Sequence, residues 1–205
     1  MRLLTLFRLP LGLAVLVGLG AAVNGTWWLV LLALLAGVII YVLGRDPARD
    51  IPSQPLGIVS PVDGRVASSG VGQDPFLGRE ALVIELQQGV FASAILSSPT
   101  EGRIEQIWAG PDMPGFDEGR RLAIHLSTDE GDEVVLVIGR PRSLRGPLRW
   151  SVQPGERVGQ GQRRGVAGWG RCVTLYLPPG SIDAPGAGLA VQAGSSQLCQ
   201  LMHAE

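Results

Sequence analysis

The chemistry open to this chain is concentrated between Gly161 and Pro178, which read GQRRGVAGWGRCVTLYLP. Arg163 and Arg164 stand close to a third arginine, Arg171, and a thiol follows at Cys172. Guanidinium groups are planar, permanently charged forks that suit phosphate and carboxylate. A solvated pair of surface charges is the plainer reading of Arg163-Arg164. No CxxC spacing joins Cys172 to Cys199, and the two histidines, His125 and His203, stand alone. The ligands of a metal site are nowhere gathered, so no metal is expected.

These residues need elements to hold them. Cys172 to Leu177 alternates and is stopped by Pro178 and Pro179, which reads as a strand. Gly165, Gly168 and Gly170 just before it imply tight bends or close backbone approach. By pattern alone this is a glycine-rich hairpin in a β domain. Short alternating runs recur at 81–86, 90–96, 103–108, 121–127, 133–138 and 148–152. No amphipathic helix of useful length follows residue 50. The segment 110–119 (GPDMPGFDEG) is the expected mobile loop.

Length and composition set the frame. The 205 residues suffice for one modest domain with a membrane segment. The 29 glycines, 15 prolines and 17% charged residues suit a turn-rich β domain with something membranous attached. A net charge of -1 suggests no polyanion partner, so nucleic acid is not expected.

Residues 3–23 carry Arg8 as their one charge, and residues 26–43 carry none. A membrane span needs roughly 20 apolar residues. The two segments, joined by Asn24-Gly25, predict a transmembrane helical hairpin over 1–45. Trp27-Trp28 stand where an interfacial aromatic belt is expected. A cleaved signal peptide is the competing reading of the first segment. Arg2 and Arg8 precede the pair and Arg45 and Arg49 follow it, which puts both ends in the cytoplasm. A proline-rich juxtamembrane linker follows over 46–59, and a β domain over 60–205.

The β domain repeats itself. SPVDGRV at 60–66 returns as SPTEGRI at 98–104, and a looser pair, PGERVGQGQRRG and PGAGLAVQAGSS, begins at Pro154 and Pro185. Such hairpin repeats predict a β barrel or sandwich made from related halves. They are similar to the glycine turns of lipoyl and biotinyl carriers, but a carrier needs a lysine at the turn and this chain has no lysine.

Taken in order, the segments resemble the phosphatidylserine decarboxylase proenzymes, particularly the short bacterial and archaeal type. That family carries a run similar to GQRxGxxxFGSRVxLYLP, an RDPxRxxP linker and an SPADGxV segment. The likeness covers nearly the whole chain. It implies membrane-bound phospholipid metabolism, with phosphatidylserine converted to phosphatidylethanolamine. In the family a Gly-Ser bond cleaves itself and the Ser becomes a pyruvoyl cofactor. The Ser oxygen attacks the preceding carbonyl, and the resulting ester is eliminated and hydrolysed. A His serves as base and an Asp holds it.

Carried onto this chain, the resemblance implies Asp63 as the family Asp and Gly170-Arg171 as the cleavage position, with the Ser replaced by Arg171. The segment matching the family's His, Phe91 to Pro99, contains no His. Guanidinium has no usable lone pair. Five replacements come into question. Cys172 is one residue on and so faces the other way. Gly194-Ser195 matches a later family turn, and Gly180-Ser181 follows two prolines. His125 reads as a solvated strand histidine, and His203 lies at a frayed end. The expectation is an uncut, catalytically silent relative without pyruvoyl. It binds anionic or zwitterionic phospholipid through Arg163, Arg164 and Arg171, or pairs with an active paralogue. Arg171 is further expected to fill the vacated position and pair with Asp63. Active decarboxylase with another cleavage site, and a structural membrane scaffold, are the alternatives.

Overall fold

The computed structural model of the chain describes residues 4–44, 49–52, 56–89, 92–110, 113–114, 120–141, 148–168 and 170–202. Two compact units divide it, Met1–Ala48 and Arg49–Glu205. Parts of the expected linker (46–48, 53–55) and most of the expected loop at 110–119 lie outside the described residues, as does His203.

The first unit is a pair of packed helices, α1 (Leu4–Val23) and α2 (Trp27–Gly44). Side chains close the connection. Asn24 Nδ2 donates to the Gly20 carbonyl at 2.9 Å, and Thr26 Oγ1 donates to the Ala21 carbonyl at 3.0 Å. Both acceptors are last-turn carbonyls, and each also accepts the backbone N–H of the same residue. The transmembrane reading of this hairpin is corrected by the structure. Among the described residues no helix is long and apolar enough to cross a membrane. Arg8 and Pro10 lie inside α1. The part of α1 that is free of charge and proline, residues 11–23, measures roughly 20 Å. The 18 residues of α2 reach roughly 27 Å, against a hydrocarbon core of roughly 30 Å.

The second unit is mostly β. Its strands are β1 (Gly57–Val59), β2 (Gly64–Asp74), β3 (Arg79–Gln88), β4 (Ile95–Ser97), β5 (Gly102–Ala109), β6 (Arg120–Ser127), β7 (Glu133–Pro141), β8 (Leu148–Trp150), β9 (Arg157–Val158), β10 (Arg163–Ala167), β11 (Arg171–Leu177), β12 (Ala190–Val191) and β13 (Gln197–Gln200). The expected β barrel or sandwich is corrected by what they form. One open, curled eight-stranded antiparallel sheet runs β12-β2-β3-β11-β7-β6-β5-β9. Small sheets β4-β10-β8 and β1-β13 complete the unit.

The sequence repeats set this order. Reading inward from each end, β12 corresponds to β9, β2 to β5, β3 to β6 and β11 to β7. Matching hydrogen bonds mark the correspondence. Ser60 Oγ donates to the Val62 carbonyl and Ser98 Oγ to the Thr100 carbonyl, both at 2.7 Å. Val66 N–H meets Leu189 O as Ile104 N–H meets Glu156 O, each at 2.9 Å. Glycine is required where each repeat enters its strand. A Cβ on Gly64 would lie 2.1 Å from Gln87 O, and one on Gly102 would lie 2.3 Å from Ser127 O. Neither backbone crossing admits a side chain.

Strand alternation builds two apolar layers. Ile84, Leu86, Ile124, Leu126, Leu136, Ile138 and Leu175 face one side and belong to the main core. Each such fully buried side chain stabilises by about 1.5–3 kcal/mol. Ala123, Val135, Val137 and Tyr176 face the other side, with Phe76 and Trp108 packed over them. His125 belongs to this second face. It is 8% exposed and stacks on Trp108 at a ring separation of 6.2 Å. The solvated strand histidine expected from its alternation is therefore buried, because an aromatic cover lies over that face.

Candidate functional site

The site is assembled where β3 and β11 run side by side. Cys172 pairs with Gln87 at one end and Leu177 with Leu82 at the other. Gly170 turns the chain into β11 at a φ of 68°, in the left-handed region that favours glycine. Its counterpart in the other half is Gly131, with a φ of 90°, in the short connection between β6 and β7. The Gly170-Arg171 junction is thus one of two equivalent strand entries.

Arg171 is 4% exposed. Its Nη1 donates to the Gly139 carbonyl of β7 at 2.9 Å, so the side chain lies across the neighbouring strand. Two glutamines from β3 hold the backbone beside it. Gln87 Nε2 donates to the carbonyls of Gly170 at 3.1 Å and Arg171 at 3.2 Å. Arg171 N–H points to Gln88 Oε1 at 3.4 Å. Gln88 Nε2 donates to Ser93 O and Ala167 O. Sequence reading passes over both glutamines. Their signal is two amides side by side at a strand end, where one faces the layer that its neighbour avoids.

Asp63 is occupied by a different arginine. Both Asp63 oxygens are held by the fork of Arg49, with Nη2 to Oδ2 at 2.6 Å and a second contact from Nη1 to Oδ1. Arg49 Nη1 also donates to Ala193 O at 2.9 Å, and Ala193 N–H donates to Asp63 Oδ1 at 2.7 Å. The two side chains are 14% and 16% exposed. Bidentate geometry of this kind makes the stronger class of charged hydrogen bond. Sequence alone gives Arg49 a part in membrane orientation only, although its RDPxR context marks it.

The segment matched to the family's base lies against Gln88. Ser93 O accepts from Gln88 Nε2, Ala167 N–H donates to Ala94 O at 2.8 Å, and Ile95 is buried. Phe91 and Trp169 lie outside the described residues. His125 sits elsewhere. It pairs across the sheet with Val135, which pairs with Tyr176, five residues along β11 from Arg171. At about 3.3 Å per strand residue and about 4.8 Å per strand step, His125 is roughly 19 Å from the junction.

The three arginines expected at a lipid site separate. Arg164 pairs with Glu156 at 3.1 Å, Arg171 is buried, and Arg163 is exposed. Arg163 lines an open cavity of about 270 Å³ with Arg49, Ile51, Gly161, Gln162 and Gly194. Among the described residues no cluster of potential ligands could hold a metal ion. Cys199 is buried, and burial followed by the charge of Asp183 pushes its thiol up to about 12. Cys172 is half-buried. Ser195 lies in the turn after β12, and Ser181 Oγ is turned back onto Pro178 O at 2.8 Å.

No family model matches the chain. Curated proteins do. A phosphatidylserine decarboxylase proenzyme of Nitrosomonas eutropha is 34% identical over 174 residues, covering 81% of this chain and 80% of that protein. The proenzyme of Burkholderia lata is 34% identical over 164 residues, 77% of this chain and 76% of its own. That of Paraburkholderia xenovorans is 32% identical over 189 residues, 89% and 86% respectively.

Proposed function

Because the chain belongs to the phosphatidylserine decarboxylase proenzyme family, we propose that it is a phospholipid-binding member that stays joined at Gly170-Arg171 and makes no pyruvoyl group of its own. The family reaction releases CO2 from phosphatidylserine, and a pyruvoyl group supplies the electron sink for it. The residues at the junction do not fit the formation of that group. The observation that carries this reading is the buried guanidinium of Arg171, turned onto the Gly139 carbonyl. Self-cleavage begins with a side-chain oxygen or sulfur attacking the preceding carbonyl. Arginine has neither, and its charged guanidinium is no nucleophile. The neighbouring segment adds no base, since Ser93, Ala94 and Ile95 stand beside Gln88.

The reading assigns lipid binding to the cavity lined by exposed Arg163, where guanidinium chemistry suits a headgroup phosphate or carboxylate. Membrane association follows from the helical pair. Leu9, Val23, Trp27 and Leu31 are each at least 70% exposed, and large apolar side chains line both helices. An apolar surface of this extent calls for cover by lipid.

The test uses the full chain with vesicles of phosphatidylcholine containing phosphatidylserine. The protein floats with the vesicles, releases no CO2, and does not react with a carbonyl-directed hydrazide. Release of CO2 together with hydrazide labelling overturns the silent reading. Failure to float overturns the lipid reading.

A further inference from the structure

The peptide bond between Gly170 and Arg171 is held more tightly than a plain strand entry requires. Its carbonyl oxygen receives the Gln87 amide at 3.1 Å, and its N–H faces Gln88 Oε1 at 3.4 Å. The opposite half supplies an internal comparison. There the equivalent bond is Gly131-Asp132. Asp132 N–H meets Thr128 Oγ1 at 3.0 Å, so the acceptor on the N–H is reproduced. The residue in the place of Gln87 is Ser127. Its hydroxyl lies 3.5 Å from Thr128 O, and the side chain is two heavy atoms shorter before its polar group. A long carboxamide aimed at the junction carbonyl belongs to one half.

We propose that Gln87 is a latent oxyanion donor for acyl shift at the 170–171 peptide, and that this chain lacks the nucleophile but not the cradle. The inference rests on the reading that the chain stays joined at this bond. A donor already placed on a carbonyl also receives the negative charge of a tetrahedral adduct, without reorganising. In the Arg171→Ser variant, the introduced Oγ attacks the Gly170 carbonyl carbon and charge passes to the carbonyl oxygen, against Gln87 Nε2. The C–N bond then breaks, and the Oγ proton ends on the released amine. Gly170 becomes an ester of the introduced side chain. Added hydroxylamine displaces that ester, leaving a Gly170 hydroxamate and a second chain whose first residue is the introduced serine, with a free amine. No base from the protein is needed for this exchange, because hydroxylamine is supplied.

The experiment compares Arg171→Ser, Arg171→Ser with Gln87→Leu, and Asp132→Ser, each as the full chain in neutral hydroxylamine, followed by mass spectrometry. Arg171→Ser splits after residue 170. Adding Gln87→Leu slows the split at least about tenfold, toward the loss seen when one oxyanion donor is removed. Asp132→Ser does not split after residue 131. Equal rates with and without Gln87, equal cutting in the two halves, or a folded Arg171→Ser chain that stays whole would each overturn the proposal. Arg171→Cys repeats the comparison through a thioester if the serine variant fails to fold. The parent chain gives an independent reading. With ¹³C-carbonyl glycine and ¹⁵N-arginine, Gln87→Leu moves the Gly170 carbonyl resonance upfield, and an unmoved resonance counts against the donor. These outcomes are separable from failure of the parent reading, which is decided by whether the unsubstituted chain is cut.

Discussion

Arg49 holds Asp63 through both oxygens while bonding the Ala193 carbonyl, so one guanidinium ties three separated segments of the β unit. Both partners are mostly buried. Removing one leaves the other charge without compensation, which costs about 3–5 kcal/mol. Arg49→Met should therefore lower stability by about 3 kcal/mol in urea unfolding, and adding Asp63→Asn should recover part of it. Equal midpoints for the single and double variants would contradict a charge-based role. The two cysteines make a second test. Cys199 has its thiol pushed up to about 12 by burial and by Asp183. A raised thiol favours the protonated form in the folded state, while the unfolded thiol ionises near about 8.5. Between those values the unfolded chain binds fewer protons, so stability falls as pH rises. A thiol reagent at neutral pH should label half-buried Cys172 and reach Cys199 only after unfolding. At this scale the sequence was partly legible. The junction Gly170-Arg171 and Asp63 could be found by motif. Their partners Gln87, Gln88 and Arg49 could not, because those contacts join positions 14 to 84 residues apart and carry no local pattern.

At the scale of elements, the repeats were the most informative signal. SPVDGRV and SPTEGRI do enter equivalent strands, with the same serine bond in each. The reason is the backbone crossing at Gly64 and Gly102, which a Cβ would meet at 2.1 and 2.3 Å. Gly64→Ala and Gly102→Ala should each destabilise by roughly 3 kcal/mol or more, in the range reserved for severe local clashes. Thermal unfolding of the two variants measures it, and a shift of under a degree in either would remove the crossing from the argument. Alternation placed the strands, yet it misjudged His125. A period of two gives which residues share a face, but not what lies over that face. Phe76 and Trp108 come from other strands and turns, and they bury it.

For the whole molecule, strand content was readable and closure was not. Related halves predict symmetry, but whether β9 and β12 meet depends on sheet curl, and the sheet stays open. The apolar N-terminal segments were legible as a helical pair. Their spanning length was overstated, because Arg8 and Pro10 shorten the usable run of α1 and α2 has 18 residues. The family likeness reaches across both units and is borne by relatives at 32–34% identity. The missing hydroxyl at position 171 is the feature on which the activity of the whole turns. Intact mass of the purified full-length protein tests this most directly. A single species near 21.7 kDa is predicted, with the bond after Gly170 unbroken. Two fragments that meet at residues 170 and 171, the smaller beginning with a ketone in place of an amine, would contradict it.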